Sequence, residues 1–117
     1  ARKYDSILKK NKYIKIIKQN YNEVVPHIYP IRIQNLTNRE KIIKLLNSKG
    51  IEAGYHYQPN HLLSYYKNNK KTSLTNVNSI SNELLTLPLH PGIRIKDINY
   101  ITKNLLLIIH KFINETG

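Results

Sequence analysis

The sequence predicts a two-layer α/β sandwich, an α+β arrangement in which helices pack on one small mixed sheet of about three strands. Two patterns predict this class. Apolar residues recur at helical steps in several segments and alternate with polar residues in the segments between them, as in strands. The resulting order is helix, strand, helix, strand, helices, strand, helix. A chain of 117 residues suffices for one core, so we expect a single domain over residues 1–117.

The first predicted helix covers residues 4–21. Lysines fill one face of this segment. The apolar positions of the other face are Tyr4, Ile7, Leu8, Ile14, Ile17 and Tyr21. This apolar stripe is wide for a terminal helix on a small domain. We therefore expect the helix to pack against something larger, and an apolar surface patch to lie on it or beside it.

A strand is predicted over residues 24–33, where apolar and polar side chains alternate. Pro30 has no backbone N–H to give to a ladder, so we expect an edge strand or an interruption at that residue. A capping box follows, with Thr37 as N-cap and Glu40 reaching back. The helix that it starts is expected to end at Gly50, because glycine suits the left-handed turn that closes many helices.

Two further strands are predicted after this helix. The first covers residues 51–57 and is ended by Pro59. The other covers residues 86–89 and is closed by a turn at Pro91 and Gly92. A helical crossover between the first two strands of the sheet allows a parallel or a split pairing, and both remain open at this point.

The helices of the second half follow from the same spacing rules. Residues 61–66 form a short predicted helix, residues 67–76 a polar loop, and residues 77–84 carry apolar side chains at helical spacing. The last predicted helix is long and covers residues 96–114. Asp97 stands in its first turn, where the helix dipole favours an anion.

The net charge of +12 raises an alternative function, a basic α/β module that binds nucleic acid. Tyr65 and Tyr66 would stack on bases, and the basic loop at residues 67–71 would contact phosphates. Lysines are, however, scattered over every segment, and asparagine and isoleucine are abundant too, which indicates a general compositional bias. We do not expect nucleic-acid binding. A domain that only dimerises is a third alternative.

The composition also bears on the compartment. The chain has no cysteine, which excludes disulfides and thiolate metal sites. Its apolar runs are shorter than the ~18 residues that a bilayer span needs, and its first residues do not have a secretory pattern. We therefore expect a soluble, cytoplasmic domain without membrane contact.

Histidines and tyrosines gather at the ends of two predicted strands. His56 and Tyr57 end the second strand, His61 follows it, and His90 follows the third. Polar aromatic groups that converge in this way are typical of one wall of a ligand cleft, although hydrogen-bonded structural histidines are the alternative for each. We expect no metal site, because His90 is the one obvious third ligand and no carboxylate is placed to orient the rings.

Two motifs in these segments carry a family resemblance. Residues 50–61 read Gly-Ile-Glu-Ala-Gly-Tyr-His-Tyr-Gln-Pro-Asn-His, and residues 87–91 read Leu-Pro-Leu-His-Pro. With the strand and helix before them, they resemble the C-terminal small domain of the DegT/DnrJ/StrS family of pyridoxal-phosphate-dependent, fold-type I aminotransferases. The resemblance covers nearly the whole chain. Asn60 departs from the small apolar residue usual in the family, and Arg94 from its polar helix start.

The resemblance implies a small domain of the pyridoxal-phosphate transferase fold. It also implies an enzyme that transfers an amino group from glutamate to a nucleotide-linked keto-sugar for polysaccharide or lipopolysaccharide biosynthesis. The full-length protein would use pyridoxal phosphate and form a homodimer with the active site at the interface. By the same resemblance, His56, Tyr57 and His61 match the motif and are expected near the substrate cleft, with His90 as a further candidate.

We do not expect catalysis by this chain alone. Transamination needs a desolvated lysine for the Schiff base, a carboxylate on the pyridinium nitrogen and a phosphate-binding loop. The 7 carboxylates stand in helix starts, turns, a strand start and a tail, and the 4 glycines form no phosphate loop. The resemblance implies that these parts belong to a missing N-terminal domain. We therefore expect a fragment with no catalytic, cofactor-binding or metal-binding residues of its own.

Overall fold

A computed structural model of the chain describes residues 1–56 and 75–116. In chain order the described elements are α1 (Arg2–Leu8), β1 (Ile14–Ile16), β2 (Tyr29–Ile33), α2 (Arg39–Ser48), α3 (Thr75–Ser81), β3 (Leu84–Leu87) and α4 (Ile95–Thr116). The strands form one small sheet, and the long C-terminal helix α4 contributes to the same core. The predicted α/β class is therefore confirmed.

The strand order in the sheet is β1-β2-β3, and both pairings are antiparallel. Ile14 stands opposite Ile33 in the first pairing, and Tyr29 stands opposite Leu87 in the second. Strand β3 begins at Leu84, earlier than the predicted range 86–89, because it pairs with the whole length of β2 up to its penultimate residue. The parallel or split pairing considered for the predicted strands 24–33 and 51–57 is not found among the described residues, and every strand pairing described is antiparallel.

Pro30 lies in the central strand, so the edge strand that the sequence allowed is wrong. Ile33 donates its backbone N–H to the carbonyl of Glu83 (2.8 Å). In an antiparallel ladder, alternate residues of a strand form their hydrogen bonds with the same neighbour, so Ile33, Ile31 and Tyr29 bond towards β3. The backbone nitrogen of Pro30 therefore points towards β1. The pairing with β1 ends at Ile16 and Ile31, before it reaches Pro30. The missing N–H of Pro30 therefore removes no hydrogen bond from the ladder. The sequence also allowed an interruption at Pro30, and the ladder is interrupted there only on the side that faces β1.

The helix predicted over residues 4–21 ends at Leu8, and the prediction is wrong beyond that residue. The chain then turns, and the Oδ1 atom of Asn11 accepts the backbone N–H of Tyr13 (2.9 Å). Strand β1 follows because β-branched isoleucines suit a pleated strand and β2 supplies a partner ladder. The apolar residues that the sequence assigned to one helix therefore belong to two elements, α1 and β1, which pack on the same core.

Helix α2 begins one residue later than the predicted capping box required. Asn38 is the N-cap, and its Oδ1 atom accepts the backbone N–H of Lys41 (3.0 Å). Thr37 lies outside the helix, and Glu40 occupies the second helical position instead of the third. A side chain at the second position does not reach back to the N-cap in the way that a capping box needs. The predicted cap is therefore wrong by one residue.

The other end of α2 confirms Gly50 as the residue that closes the helix. Gly50 has a φ of 73°, which only glycine adopts without strain. It donates to the carbonyl of Asn47, and Ile51 donates to the carbonyl of Leu46, both at 3.0 Å. This pair of bonds is the Schellman motif, which satisfies the last helical carbonyls and places Ile51 in the core.

The strand predicted over residues 51–57 is not formed in its described part. Gly54 pairs with Thr86 in a single antiparallel bridge, with N–H to O distances of 3.2 and 2.7 Å. The neighbouring N–H of Ala53 instead donates to the Oδ1 atom of Asn47 in α2 (3.1 Å). Because that bond ties the backbone to the helix, the segment touches β3 at one point and does not extend the sheet.

The core lies between the sheet and the helices. Its largest fully buried side chains are Tyr4, Leu8, Ile31, Ile42, Leu46, Ile51, Leu85, Leu87, Leu105 and Ile109. Helix α4 exceeds the predicted range 96–114 by one residue at its start and two at its end. Asp97 in its first turn accepts the backbone N–H of Arg94 (3.0 Å) and the guanidinium of the same residue, which caps the helix. The hydrogen bonds from Arg94 hold the pKa of Asp97 below its usual value.

Candidate functional site

A cavity of about 340 Å³ lies at the start of β3, beside the first turn of α2 and helix α3. The described residues that line it are Arg39, Tyr55, His56, Asn76, Val77, Ile80, Ser81 and Leu84. The bridge between Gly54 and Thr86 sets the next residues antiparallel to β3, which brings His56 to this cavity. His56 is exposed there. The structure thus places one predicted site residue beside a cavity large enough for a small-molecule group.

Arg39 is the main charged group of this cavity. It is the first residue of α2, and its guanidinium lies 3.9 Å from the centre of the Tyr55 ring. Its Nη1 atom donates to the backbone carbonyls of Ser81 and Leu84. These contacts fix the cation in place, since a guanidinium both stacks on aromatic faces and forks between acceptors.

Sequence reasoning did not single out Arg39. The one sequence feature that could have indicated Arg39 is its position directly after the N-cap of a helix. Many surface arginines occupy the same position. Its partners Tyr55, Ser81 and Leu84 come from distant parts of the chain, so the cluster becomes visible only in the folded structure.

The chemistry of the cavity is that of a binding surface. An arginine, a histidine ring and the side chains of Asn76 and Ser81 stand among aliphatic groups, and none of its described lining residues is acidic. Such a set binds a ligand that offers anionic or hydroxyl oxygens and an apolar face.

His90 lies at the opposite end of β3 from His56. It opens a turn in which Ile93 donates its backbone N–H to the carbonyl of His90 (3.1 Å), as the Pro91–Gly92 pair predicts. His90 lines a separate groove that also contains His27. The structure therefore brings His56 to Arg39 and Tyr55, and it does not bring His56 and His90 into one cavity.

The remaining predicted residues lie outside the part of the chain that the structure describes. Tyr57 and His61 directly follow the described segment that ends at His56, and their roles stay predictions. The same holds for Tyr65, Tyr66 and residues 67–71, on which the nucleic-acid alternative depends.

Residues 1–56 and 75–116 contain neither a metal-binding group nor a membrane-spanning helix. No group of three histidine, aspartate or glutamate side chains there is arranged to hold a metal ion. None of the helices described is both long enough and apolar enough to cross a bilayer.

Comparison with known proteins identifies the family. Residues 1–106 match the model of the DegT/DnrJ/EryC1/StrS aminotransferase family. The chain belongs to this family. The match covers most of the chain, including α1, the sheet and most of α4. The resemblance carried by the two sequence motifs is therefore confirmed.

Curated members of the DegT/DnrJ/EryC1/StrS family are similar to this chain in sequence. The UDP-4-amino-4,6-dideoxy-N-acetyl-beta-L-altrosamine transaminase of Campylobacter jejuni is 29% identical over 112 residues, which is 92% of this chain. The UDP-4-amino-4-deoxy-L-arabinose–oxoglutarate aminotransferase of Shewanella sediminis is 31% identical over 85 residues, which is 64% of this chain and 22% of that protein.

Solved structures of aminotransferases have the same fold. A Streptococcus pneumoniae protein assigned as a sugar aminotransferase, in its PMP form, matches 94% of this chain with a TM-score of 0.81 and 28% identity. PseC of Helicobacter pylori, an aminotransferase of pseudoaminic acid biosynthesis, matches 94% with a TM-score of 0.80 and 22% identity, and it shows the fold alone.

The chain is much shorter than these family members. It spans 30% of the length of the Campylobacter relative and 29% and 31% of the Streptococcus and Helicobacter chains.

The family implies pyridoxal phosphate, so the described residues were tested against what that cofactor needs. All described lysines are exposed or half-buried, whereas a Schiff-base lysine is desolvated. The carboxylates of Asp5, Glu83 and Asp97 are held by Tyr29, Arg32 and Arg94 respectively, so none is placed for a pyridinium nitrogen. The described residues therefore do not fit the cofactor.

Proposed function

We propose that this chain is the C-terminal small domain of a pyridoxal-phosphate-dependent aminotransferase that acts on a nucleotide-linked keto-sugar. In this proposal residues 1–117 are one domain and form one wall of the substrate cleft. The cofactor and its lysine belong to a larger N-terminal domain. Membership of the aminotransferase family supports the reaction class, and the names of the curated relatives support a nucleotide-sugar substrate.

The observation that carries the proposal is the Arg39–Tyr55–His56 cluster. The guanidinium is held on the Tyr55 ring, and His56 stands exposed beside it at the cavity. A nucleotide-linked sugar offers what this surface binds, namely phosphate and hydroxyl oxygens next to apolar ring faces. Tyr57 and His61 follow in the sequence and extend the same wall in the proposal. The role of these residues is to bind and orient the sugar nucleotide and to exclude water, and none of them is catalytic.

His90 has a different place in this proposal. Because it lies at the far end of β3 from His56, it contacts the ligand only if the cleft extends along the whole strand. The enzyme is proposed to be a cytoplasmic homodimer, as the family resemblance implies.

The test is steady-state kinetics of the full-length enzyme that contains this chain. We expect His56→Ala to raise the KM for the sugar nucleotide about tenfold with a smaller change in kcat, because a ligand hydrogen bond is lost. His110→Ala is the matched control, since His110 is an exposed histidine on α4 whose described ring contact is with Asn114.

Equal kinetic effects of the two substitutions would contradict the assignment of the cleft wall. Transamination activity of the isolated chain, with visible absorbance from a lysine-bound cofactor, would contradict the division into two domains.

A further inference from the structure

A broad apolar groove of about 790 Å³ lies at the end of the molecule away from the His56 cavity. Four parts of the chain form it: the start of α1, the segment before β2, the turn after β3 and the start of α4. Its floor is aliphatic and includes Pro26, Leu89, Ile93 and Ile98. None of these residues lines the His56 cavity, so an inference about the groove is independent of the proposed function.

The groove gathers apolar side chains that water reaches. Val25 is 94% exposed, Ile95 is 58% exposed and Val24 is 46% exposed. All three line the groove, and they stand beside its floor, of which Ile98 is buried and Pro26, Leu89 and Ile93 are half-buried. Contiguous exposed apolar surface of this kind marks an interaction site in soluble proteins. It lies beside Tyr21, close to the first segment of the chain, where the sequence predicted an apolar patch.

The rim of the groove is basic. Arg2, Lys3, His27 and His90 line it, and none of its described lining residues is acidic. The nearby carboxylate of Asp5 accepts a hydrogen bond from the hydroxyl group of Tyr29. The carboxylate of Asp97 forms an ion pair with Arg94. Glu23 precedes Val24 but does not line the groove. The cations of the rim therefore have no carboxylate of the groove to neutralise them.

We propose that this groove docks an amphipathic segment of a partner polypeptide, with apolar side chains on one face and carboxylates flanking them. The aliphatic floor takes the apolar side chains, and the basic rim takes the carboxylates. A second copy of this chain is a poor occupant, because two chains of net charge +12 would oppose like charges across a basic rim. Nucleic acid is a poor occupant too, because the floor is aliphatic and the ring of Tyr21, the one tyrosine among the described lining residues, already lies 5.9 Å from the guanidinium of Arg2.

The test uses two synthetic amphipathic peptides of about 15 residues with the same leucines at helical spacing. One peptide carries glutamates at its polar positions and the other carries lysines. Each is titrated into the chain while the methyl NMR signals of Val24, Val25 and Ile95 are followed. We expect the glutamate peptide to shift these methyl signals with a Kd below about 1 mM and to bind less tightly as salt is added.

The matched variants are Val25→Asp in the groove and Leu107→Asp on α4, where Leu107 is 61% exposed and lines a different pocket. We expect Val25→Asp to weaken binding of the glutamate peptide at least about tenfold and Leu107→Asp to leave it unchanged. Both positions are exposed, and circular dichroism checks that both variants fold.

Three results with the peptides would overturn the proposal. They are equal binding of the lysine and glutamate peptides, methyl shifts that spread equally to Leu107, and absence of binding at millimolar peptide. A single-stranded DNA or anionic vesicle that shifts the groove methyl groups more strongly than the glutamate peptide would also overturn it.

Discussion

The rings of Tyr4 and Tyr29 stack in the core, with their centroids 4.5 Å apart and their planes inclined by 21°. The Tyr4 hydroxyl donates to the carbonyl of Pro88 (2.7 Å), and the Tyr29 hydroxyl donates to the carboxylate of Asp5. Burial raises the pKa of both phenols, and the Asp5 carboxylate adds to the rise at Tyr29. The pair therefore joins α1, β2 and the segment after β3 through rings and hydroxyl groups together.

Truncation of this pair should be the most damaging of the changes considered. We expect Tyr4→Ala to lower the free energy of unfolding by about 3–4 kcal/mol, because a fully buried ring is lost and a cavity remains. Tyr4→Phe should cost about 1 kcal/mol, since it removes only the bond to Pro88. Urea denaturation measures both values. Tyr100→Phe is the control, because the Tyr100 hydroxyl bonds to the carbonyl of Lys49 on a side chain that is half exposed, and it should cost less.

The sequence prediction and the structure assign the N-cap of α2 to different residues, and substitutions at these two residues distinguish the assignments. We expect Asn38→Ala to destabilise the chain by about 1 kcal/mol, because the backbone N–H of Lys41 loses its acceptor. Thr37→Ala should be nearly neutral, since Thr37 is exposed and lies outside the helix. Thermal denaturation of the two variants provides the comparison. A larger loss for Thr37→Ala than for Asn38→Ala would restore the capping box that the sequence predicted.

Substitution of Gly50, the left-handed residue after α2, should destabilise the chain because of its backbone conformation alone. A Cβ atom on Gly50 would meet nothing within 4 Å, yet the φ of 73° is strained for any other residue. We therefore expect Gly50→Ala to cost about 1–2 kcal/mol in the free energy of unfolding. Gly54→Ala is the matched control, because a Cβ atom there also has free space and the backbone is not left-handed. Equal costs for the two glycines would rule out the conformational explanation.

Glu83 should give the chain part of its acid sensitivity. Burial raises the pKa of Glu83, but the hydrogen bonds from Arg32 and from the backbone N–H of Asn35 outweigh burial and hold the pKa below the usual value. Because the folded-state pKa is the lower one, this stabilisation is present above about pH 4.5 and is lost as the pH falls through the folded-state value. The contribution should be about 0.5–1 kcal/mol, since Arg32 is 37% exposed.

Urea midpoints between about pH 6 and pH 3 test this prediction, because the stabilisation is complete above the unfolded-state pKa and declines as the pH falls below it. We expect Glu83→Gln to be less stable than the parent chain at the upper end and to lose less stability on acidification. Glu52→Gln is the control, since the Glu52 side chain is exposed. Parallel acid curves for the parent chain and Glu83→Gln would refute the linkage.

Local signals predicted the elements whose causes are local. The long C-terminal helix was predicted to within two residues at each end, because its apolar stripe and its acidic first turn depend on neighbours along the same helix. Gly50 was predicted to end α2 because a left-handed residue is needed wherever a helix closes in this way. The family motif was also readable, since it consists of residue types at fixed spacing.

Predictions failed where a distant partner decided the outcome. Residues 14–16 match helical spacing, but β2 provides a ladder that makes them a strand. Pro30 looked like an edge residue, and the length of β1 is what makes it harmless in the centre of the sheet. The site shows the same limit. His56 was found from its motif, whereas its neighbour Arg39 and its separation from His90 were not.

The sequence by itself determined the α/β class, the two ends of the long last helix, the turn at Gly50 and the family, because each depends on residue types at short, regular spacing. Only the tertiary structure decided the antiparallel order of the strands, the stacking of Arg39 on Tyr55 and the placement of the two histidines at opposite ends of β3. The physical reason is that these features are contacts between segments far apart in the chain, and such contacts are selected by the packing of the whole core rather than by any local pattern.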